Sequence, residues 1–372
     1  MKPIKVMTIF GTRPEAIKMA PIILLMQKHL NDFNPVTVVS AQHRQMLDQV
    51  LHIFSIKPQY DLNIMKANQT LSDITTKVIL ELNAIIEKEN PDVILVHGDT
   101  TTTFAASVAA FYHKIILGHV EAGLRTWDKY SPYPEEMNRQ LTDVLADIYF
   151  APTQLSKQNL LKENHQEDKI FVTGNTAIDA LKQTVSKNYH HSVLDEINEK
   201  SKMILLTMHR RENQGKPMIR TFKAISEVLA NHPDVDVVYP VHLSPAVQKA
   251  AHEVFDGNKQ VHLIKPLDVL DFHNMAARSY FIMTDSGGVQ EEAPSLGKPV
   301  LVLREETERP EGVSAGTLRL VGTDPKKIKE NMEDLLSNPK EYKKMADAKN
   351  PYGDGYAAKR ILNAIKVQFE NR

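Results

Sequence analysis

Three carboxylates follow or lie beside short apolar runs, at positions where the end of a strand would present them to a ligand. Asp99 follows the run 93–97 after a single glycine, Gly98, and Glu121 comes directly after the run 115–120. Glu135 follows further along the same part of the chain. Carboxylates in such positions can donate or remove protons. Asp99 can equally be a helix N-cap, a role that does not explain Glu121.

Glu135 and Arg139 are four residues apart in a segment that is predicted to be helical. They would share one face of the helix and can pair with each other. Such a pair at the surface contributes only about 0.3–0.5 kcal/mol and would have little functional meaning. Because the segment lies between other strand-end motifs, a site role and a surface role are both retained.

The first apolar run, 4–10, is followed by a glycine turn with the residues Gly11-Thr12-Arg13-Pro14-Glu15. Thr12 and Glu15 have the spacing of a capping box, which predicts a helix N-terminus after the turn. The free N–H groups of such a terminus can bind an anion. Arg13 and Lys18 would add positive charge there, or would be solvated cations on a structural helix.

His209, Arg210 and Arg211 follow the run 203–207 in the second half of the chain. Guanidinium groups bind phosphate oxygens in pairs, and histidine exchanges a proton near neutral pH. These three side chains therefore suit a diphosphate, with a charged surface turn as the alternative. His242 follows the run 235–239, and a structural role is favoured for this single histidine.

The strongest local signal follows the run 280–284 and consists of Asp285-Ser286-Gly287-Gly288. A strand, two glycines and a helix form the geometry in which bare backbone approaches a phosphate at a helix N-terminus. Glu292, further along that helix, could accept hydrogen bonds from a ribose diol. Arg309 lies in a later loop that could reach the same ligand. A capped helix with a charged face is the structural alternative.

Short runs of Val, Ile and Leu alternate with longer amphipathic stretches, which is typical of βαβ units and a mostly parallel sheet. Strands are predicted at 4–10, 36–40, 93–97, 115–120, 148–151, 203–207, 235–239, 280–284 and 300–303. Ligands bind beyond the carboxyl ends of such strands, where the residues above lie. The polar linker 182–202 predicts an N-terminal domain, 1–181, and a C-terminal domain, 203–372. The last helix can pack on either domain.

Composition excludes several other classes of protein. The length of 372 residues suits two domains, and the formal net charge of -1 gives no global field for nucleic acid or an anionic membrane. With Cys 0, disulfides and thiolate sites are excluded, and no side-chain spacing predicts a metal site. The first turn lacks the Walker A and dinucleotide glycine patterns, which argues against NAD. Without a signal peptide or a long apolar run, a cytoplasmic protein is expected.

Together these motifs resemble those of the bacterial non-hydrolysing UDP-N-acetylglucosamine 2-epimerases. The similarity extends in order along nearly the whole chain, through residues 11–18, 97–100, 119–125, 134–139, 209–212, 285–292, 308–311 and 350–355. The resemblance implies an α/β fold of two Rossmann-like domains with mostly parallel sheets facing a cleft, as in GT-B glycosyltransferases. It also implies that the last helix crosses back to the first domain.

The resemblance further implies a reaction, the interconversion of UDP-N-acetylglucosamine and UDP-N-acetylmannosamine. UDP would leave C1 as the C2 proton is removed, giving 2-acetamidoglucal, and would then add back with protonation from the other face. No cofactor is expected, and UDP-N-acetylglucosamine and UDP are the expected ligands of a homodimer. The product would supply N-acetylmannosamine units for cell-surface polysaccharide.

Roles for individual residues are implied in the same way. The catalytic residues would be Lys18, Asp99, Glu121, Glu135, Arg139 and His209. The nucleotide would be held by Arg13, Phe272, Ser286, Gly287, Gly288, Glu292 and Arg309, with the ring of Phe272 against the uracil. A second, regulatory UDP-N-acetylglucosamine would be contacted by Gln42, Gln45, Glu136, Arg210 and His242. Asn68 departs from this pattern, because the regulated members have an arginine there.

Two other hypotheses use the same nucleotide site. A GT-B glycosyltransferase or a hydrolysing epimerase would place an acceptor or water at C1 and accumulate free UDP. Three carboxylates in the first half count against this, since a transferase usually needs one base there. A non-catalytic sugar-nucleotide sensor would bind UDP-N-acetylglucosamine without exchanging the hydrogen at C2.

Overall fold

The computed structural model describes residues 2–42, 44–66 and 68–370 of the chain. The chain divides into two compact units, the first formed by Met1–Ala180 with Gly353–Arg372 and the second by Leu181–Tyr352. The final helix thus belongs to the first unit, and the polar segment 182–202 lies in the second. No described helix combines the length and the apolar character that crossing a membrane requires.

Strands alternate with helices along the chain, as the repeating apolar runs predict. The described strands are β1 (Ile4–Phe10), β2 (Phe33–Val39), β3 (Tyr60–Asp61), β4 (Val93–His97), β5 (Ile116–Val120), β6 (Ile148–Ala151), β7 (Ile170–Val172), β8 (Lys202–Thr207), β9 (Val235–Pro240), β10 (Val261–Ile264), β11 (Phe281–Thr284), β12 (Val300–Val302) and β13 (Leu318–Leu320).

The helices of the described residues range from one turn to five turns. They are α1 (Arg13–Gln27), α2 (Arg44–Ile53), α3 (Leu71–Glu89), α4 (Thr101–Tyr112), α5 (Glu135–Leu145), α6 (Gln154–Lys162), α7 (Thr176–Thr184), α8 (Ser192–Glu196), α9 (Lys216–Leu229), α10 (Pro245–Phe255), α11 (Val269–Arg278), α12 (Gly287–Glu292), α13 (Pro310–Ser314), α14 (Pro325–Ser337), α15 (Pro339–Ala346) and α16 (Ala357–Glu370).

Within its described residues, the first unit contains one sheet of seven strands in the order β3-β2-β1-β4-β5-β6-β7, with every pairing parallel. Strands β4 and β5 are fully paired, so that His97 lies opposite Val120. Buried apolar residues of these strands and of α3 and α4 form its core. The carboxyl ends of β1, β4 and β5 therefore meet at one edge of the sheet.

Among its described residues, the second unit contains a six-stranded sheet in the order β10-β9-β8-β11-β12-β13, again with parallel pairings throughout. Two clusters of buried apolar residues cover its two faces. Thr207 at the end of β8 pairs with Thr284 at the end of β11. The segments that follow these two strands therefore begin side by side.

The predicted α/β class with parallel sheets is confirmed, and all nine predicted strands are present with ends that differ by a few residues. The sequence missed β3, β7, β10 and β13, which are short and lie at the edges of the two sheets. Edge strands bury fewer side chains than central ones, so their apolar signal is weaker.

Candidate active site

The turn after β5 holds Glu121 in an unusual backbone conformation. Its φ angle is +69°, in the left-handed region that costs a residue with a Cβ about 1–2 kcal/mol. Lys18 of α1 forms an ion pair with the carboxylate, and Asn175 Nδ2 donates a hydrogen bond to it at 3.0 Å. The side chain of Glu121 is only 11% exposed, so these contacts fix a mostly buried carboxylate at the edge of the sheet.

His97, the last residue of β4, lies beside Glu121. Its buried Nε2 atom is 3.7 Å from the carboxylate and has no hydrogen-bond partner within the described part of the chain. Burial lowers the pKa of His97 to about 3, against the opposing charge of Glu121, so the ring is neutral near pH 7. The sequence did not single out His97 or Asn175. The signal for His97 is its place at a strand end, whereas Asn175 is 54 residues from Glu121.

Asp99 is held by two residues of α5. Arg139 Nη2 donates to its carboxylate at 2.6 Å, and Asn138 Nδ2 donates to its backbone carbonyl at 2.9 Å. The N-cap of α4 is Thr100, whose hydroxyl accepts a hydrogen bond from the N–H of Thr103. The alternative in which Asp99 caps this helix is therefore wrong, and its side chain remains at the strand-end edge.

The groups around Asp99 shift its pKa in opposite directions, and the net shift is upward. Burial raises the pKa of Asp99 above its ordinary value, and the neighbouring carboxylates Glu121 and Glu135 add to that effect. The positive charges of Arg139 and Lys18 oppose it. The structure therefore brings four predicted catalytic side chains of the first unit, Lys18, Asp99, Glu121 and Arg139, into one network, with Glu135 close enough to act on it.

Arg139 does not pair with Glu135, although they are four residues apart on α5. Its ion pairs are with Asp99 at 2.6 Å and with Glu136 at 3.6 Å. Glu135 is the first residue of α5 and is half-buried. The pair between Glu135 and Arg139 that the sequence suggests is therefore wrong, because the guanidinium of Arg139 pairs with Asp99, which is distant in the sequence.

Glu15 ties two strand-end turns together. Its Oε2 atom accepts hydrogen bonds from the N–H groups of Gly11 and Thr12, which confirms the predicted capping contact. Its Oε1 atom accepts from the hydroxyls of Thr100 and Thr103 at 2.7 and 3.0 Å. Burial raises the pKa of Glu15 in spite of these donors. This carboxyl group thus joins the start of α1 to the start of α4.

The predicted regulatory residues of the first unit differ in their surroundings. Glu136 is fully buried and accepts hydrogen bonds from the N–H groups of Thr126 and Trp127, both at 3.1 Å. Gln42 accepts a hydrogen bond from Thr102 at 3.2 Å, whereas Gln45 is exposed on α2. Glu136 therefore has a structural role in the loop before α5, whether or not a ligand binds there.

The segment after β8 is organised by Asp285, a fully buried carboxylate at the end of β11. Its Oδ2 atom accepts hydrogen bonds from the N–H groups of His209 and Arg210, at 2.9 and 2.8 Å, and from Asn213 at 3.0 Å. Asp285 Oδ1 lies 3.3 Å from His209 Nδ1. Asp285 therefore fixes the backbone of His209 and Arg210, while its Oδ1 atom has no hydrogen-bond partner among the described residues.

His209 and His242 stack with ring centroids 5.4 Å apart and an angle of 15° between the rings. The two rings border an open groove of about 580 Å³, lined by His209, Arg210, Arg211, Gln214, His242 and Ser244. Arg210 also lies within 4 Å of two carboxylates, those of Glu212 and Glu308. Two imidazoles and two guanidiniums on one groove form a surface suited to an anion.

Ser286 is the N-cap of α12, as the sequence predicts, and Arg309 lies directly over the start of this helix. A Cβ atom at Gly287 would be 2.8 Å from the guanidinium of Arg309, whereas one at Gly288 would meet nothing within 4 Å. Arg309 Nε donates to Glu291 at 2.9 Å. The structure thus brings Arg309 to the glycine pair, 22 residues away in the sequence (309 − 287 = 22).

Two further predicted nucleotide ligands of the second unit lie near each other on α11 and α12. Glu292 Oε2 is 3.5 Å from Nε2 of the buried His273. Phe272, next to His273, packs against the apolar cluster that includes Met275 and Val289. Arg13 is the first residue of α1 in the first unit and is partly buried there.

Comparison with known proteins gives a consistent result across sequence and structure. A family model described as UDP-N-acetylglucosamine 2-epimerase matches residues 26–366. A protein of Bacillus subtilis named UDP-N-acetylglucosamine 2-epimerase is 61% identical over 372 residues, which are 100% of this chain and 97% of that protein.

Two solved structures show the same similarity. The Neisseria meningitidis UDP-GlcNAc 2-epimerase bound to UDP-GlcNAc has a TM-score of 0.87 and 52% identity, covering 97% of this chain and 99% of that one. The Methanocaldococcus jannaschii enzyme in complex with UDP-GlcNAc and UDP has a TM-score of 0.78 and 36% identity, covering 98% of this chain and 100% of that one.

Proposed function

The chain belongs to the UDP-N-acetylglucosamine 2-epimerase family, and we propose that it interconverts UDP-N-acetylglucosamine and UDP-N-acetylmannosamine without hydrolysing either sugar nucleotide. The Neisseria relative binds UDP-GlcNAc, and the Methanocaldococcus relative binds UDP-GlcNAc and UDP. These molecules are the proposed substrate and the proposed leaving group of this chain.

The reaction must invert C2 of the sugar, whose proton is not acidic because C2 is not next to a carbonyl carbon. Removing that proton as UDP leaves C1 avoids an unstabilised carbanion and gives 2-acetamidoglucal. UDP then adds back to C1, and C2 is protonated on the opposite face. This route needs a base, an acid and groups that stabilise the departing diphosphate.

Glu121 and Asp99 are the proposed base and acid of the elimination. Lys18 and Asn175 both donate to Glu121, and such contacts favour a carboxylate that can remove a proton. Burial raises the pKa of Asp99, which favours a carboxyl group that carries one. Different surroundings commonly assign two carboxyl groups to the two roles. Glu135 and Arg139 would support the same site.

The diphosphate would interact with the groove of the second unit that contains His209, Arg210 and Arg211. Asp285 holds the backbone N–H of His209, and a ring N–H of this residue can donate a hydrogen bond to a phosphate oxygen. The uridine would be held by Ser286, Gly287, Gly288, Glu292, Arg309, Arg13 and Phe272. A regulatory UDP-N-acetylglucosamine, if one binds, would contact Gln42, Gln45, Glu136, Arg210 and His242.

The observation that carries this proposal is the pair of carboxyl groups at the ends of adjacent strands, each beside its own cation. Asp99 follows β4 and pairs with Arg139, and Glu121 follows β5 and pairs with Lys18. A binding site for a neutral sugar would not need two partly buried acids there, of which Glu121 is 11% and Asp99 28% exposed. Burying a charged group costs free energy of desolvation, and such groups are commonly found at functional sites.

The test is an incubation with UDP-N-acetylglucosamine in heavy water, without added NAD or metal, followed by NMR. We expect deuterium at C2 and formation of UDP-N-acetylmannosamine, and neither in a heat-inactivated control. Product without deuterium would contradict elimination and re-addition. Accumulation of free UDP with free N-acetylmannosamine would instead indicate a hydrolysing enzyme.

A cytoplasmic homodimer that supplies N-acetylmannosamine units for cell-surface polysaccharide completes the proposal. Helices α3, α4 and α5 pack side by side in the first unit and expose large apolar side chains, namely Leu80, Phe111, Tyr112, Leu141 and Val144. Exposed apolar side chains on neighbouring helices are a common feature of protein interfaces. Analytical ultracentrifugation should give twice the 42.1 kDa mass of one chain.

A further inference from the structure

The ring of His119, fully buried within β5, lies between two hydrogen-bond acceptors. Its Nε2 atom is 2.7 Å from the carbonyl oxygen of Gly98, and its Nδ1 atom is 2.6 Å from Asp143 Oδ1. A carbonyl oxygen only accepts hydrogen bonds, so Nε2 must carry a proton. The ring therefore lies directly between Asp143 and the turn that contains Gly98.

Asp143 is surrounded by donors. Its Oδ2 atom accepts from Arg125 Nη2 at 2.6 Å and from the N–H of Gly123 at 3.2 Å. Burial opposes ionisation, but His119 and Arg125 hold the pKa of Asp143 below its ordinary value. These contacts fix the carboxyl group of Asp143 on one side of the His119 ring, and the Gly98 carbonyl lies on the other side. His119 therefore connects the Asp143–Arg125 pair to the turn after β4 through two direct hydrogen bonds.

The far end of this connection is a buried ion pair. The side chains of Arg125 and Asp143 are both fully buried and lie 2.6 Å apart, and Arg125 also contacts Glu163. Buried charges are stable when they are paired, so this pair holds Asp143 in place behind the His119 ring.

We propose that His119 is a positioning residue, held between Asp143 and the Gly98 carbonyl, that fixes the direction of Asp99. Gly98 has φ +67° and immediately precedes Asp99. Its N–H donates to the Val120 carbonyl at 2.9 Å, so both polar groups of this residue are bound by β5. The effect on turnover rests on the proposed function, whereas the hydrogen bonds of the ring do not.

The hydrogen bond to Gly98 is tested by ¹⁵N NMR of the histidine-labelled protein. The His119→Gln variant identifies the resonances of this ring among those of the 15 histidines. We expect Nε2 of His119 to carry a proton, because the Gly98 carbonyl can only accept a hydrogen bond. A wild-type ring without a proton on Nε2 would overturn the inference.

The positioning role is tested with two variants that each keep one of the hydrogen bonds. In His119→Gln the amide nitrogen replaces Nε2 and reaches the Gly98 carbonyl, whereas in His119→Asn it replaces Nδ1 and reaches Asp143. We expect turnover within a few fold of wild type for the Gln variant and about 10²-fold lower for the Asn variant, with similar KM values. Equal losses, or the reverse order, would refute positioning through Gly98.

Thermal unfolding of both variants and calorimetric titration with UDP show whether they fold and bind. If the Asn variant does not fold, the proton on Nε2 of the wild-type ring still decides whether His119 holds the Gly98 carbonyl. Absence of C2 exchange in the wild-type protein would refute the proposed function alone. A His119 ring without a proton on Nε2, in an enzyme that does exchange C2, would refute the inference alone.

Discussion

Gly98 and Glu121 adopt the same left-handed backbone conformation at the ends of neighbouring strands, with φ angles of +67° and +69°. A Cβ atom at Gly98 would lie 3.7 Å from Glu121 Oε1, an ordinary contact distance. The two turns thus run side by side and present Asp99 and Glu121 at one edge of the sheet. Glycine adopts this backbone conformation at position 98 without strain. Glu121 is strained in the same conformation and is held there by its contacts with Lys18 and Asn175.

The first prediction concerns the backbone at Gly98. Gly98→Ala should lower the free energy of unfolding by about 1–2 kcal/mol, because alanine is strained at positive φ while the space around the new methyl group is sufficient. Turnover should fall by about 10²-fold if the turn relaxes and moves Asp99 by about 1 Å. Urea unfolding and steady-state kinetics measure the two effects.

Gly257→Ala is the matched control, since Gly257 has φ +82°, nothing within 4 Å of its Cβ position and a place in a surface turn after α10. It should lose similar stability and keep its turnover. Equal losses of turnover in both variants would indicate general destabilisation, and the link between the Gly98 turn and Asp99 would then be wrong.

The second prediction concerns Glu121. Glu121→Gln keeps the size of the side chain but removes the base, so turnover should fall by about 10²–10⁴-fold. UDP affinity, measured by calorimetry, should change by no more than a few fold. Glu167→Gln is the control, because Glu167 is an exposed partner of Lys157 on the same unit. Near-normal turnover in Glu121→Gln would show that Glu121 is not the base.

The central strands were predictable from sequence because each buries a run of Val, Ile and Leu residues. The missed strands β3, β7, β10 and β13 have two to four residues each and lie at sheet edges, where several of their side chains are half-buried or exposed. A short, half-exposed run does not differ from a loop in composition. Pairing with the neighbouring strand, which the sequence does not display, creates these elements.

The candidate site was predictable only in part for a similar reason. Residues directly after a strand, such as Asp99 and Glu121, could be found because parallel strands end at one edge. Contacts between distant residues could not, and the hydrogen bond from Asn175 to Glu121 spans 54 residues. Local rules even gave a wrong partner for Arg139, because helix spacing favoured Glu135 over the more distant Asp99.

The third prediction concerns the guanidinium over α12. Gly287→Ala would place a methyl group 2.8 Å from the guanidinium of Arg309 and should displace it. Loss of a charge-assisted contact of about 1.5–3 kcal/mol corresponds to about a ten- to hundredfold loss of UDP affinity. Isothermal titration with UDP measures it.

A double-mutant cycle is the control for this prediction. Arg309→Ala alone should weaken UDP binding to a similar degree, and adding Gly287→Ala to it should cost little more. Fully additive losses would mean that Gly287 acts on the nucleotide independently of Arg309. Unchanged UDP affinity in both single variants would mean that the nucleotide does not bind at α12.

The fourth prediction concerns Asp99→Asn, a substitution that should raise the stability of the protein and lower its turnover. Asp99→Asn replaces a carboxyl group whose pKa is raised by burial with a neutral group of the same shape. Arg139 retains Glu136 as a partner at 3.6 Å. The variant should therefore be more stable than the wild-type protein at pH 7 while its turnover falls by about 10²–10⁴-fold.

The sign of the pH dependence follows from linkage. A carboxyl group with a raised pKa in the folded state stabilises the protein below the unfolded pKa of about 3.9, and this stability is lost as pH rises through the folded pKa. The advantage of Asp99→Asn, measured by urea unfolding, should thus be absent at pH 3.5 and present at pH 7.

Asp354→Asn provides a comparison of opposite sign. The hydrogen bond from Arg360 lowers the pKa of Asp354 to about 2, so this carboxylate stabilises the protein above about pH 4 and the contribution is lost as pH falls through 2. Because Asp354 is half exposed, the loss in Asp354→Asn at pH 7 should be small, below about 1 kcal/mol. If Asp99→Asn is also less stable than wild type at pH 7, the Arg139 pair outweighs burial, and Asp99 would then be the better candidate for the base.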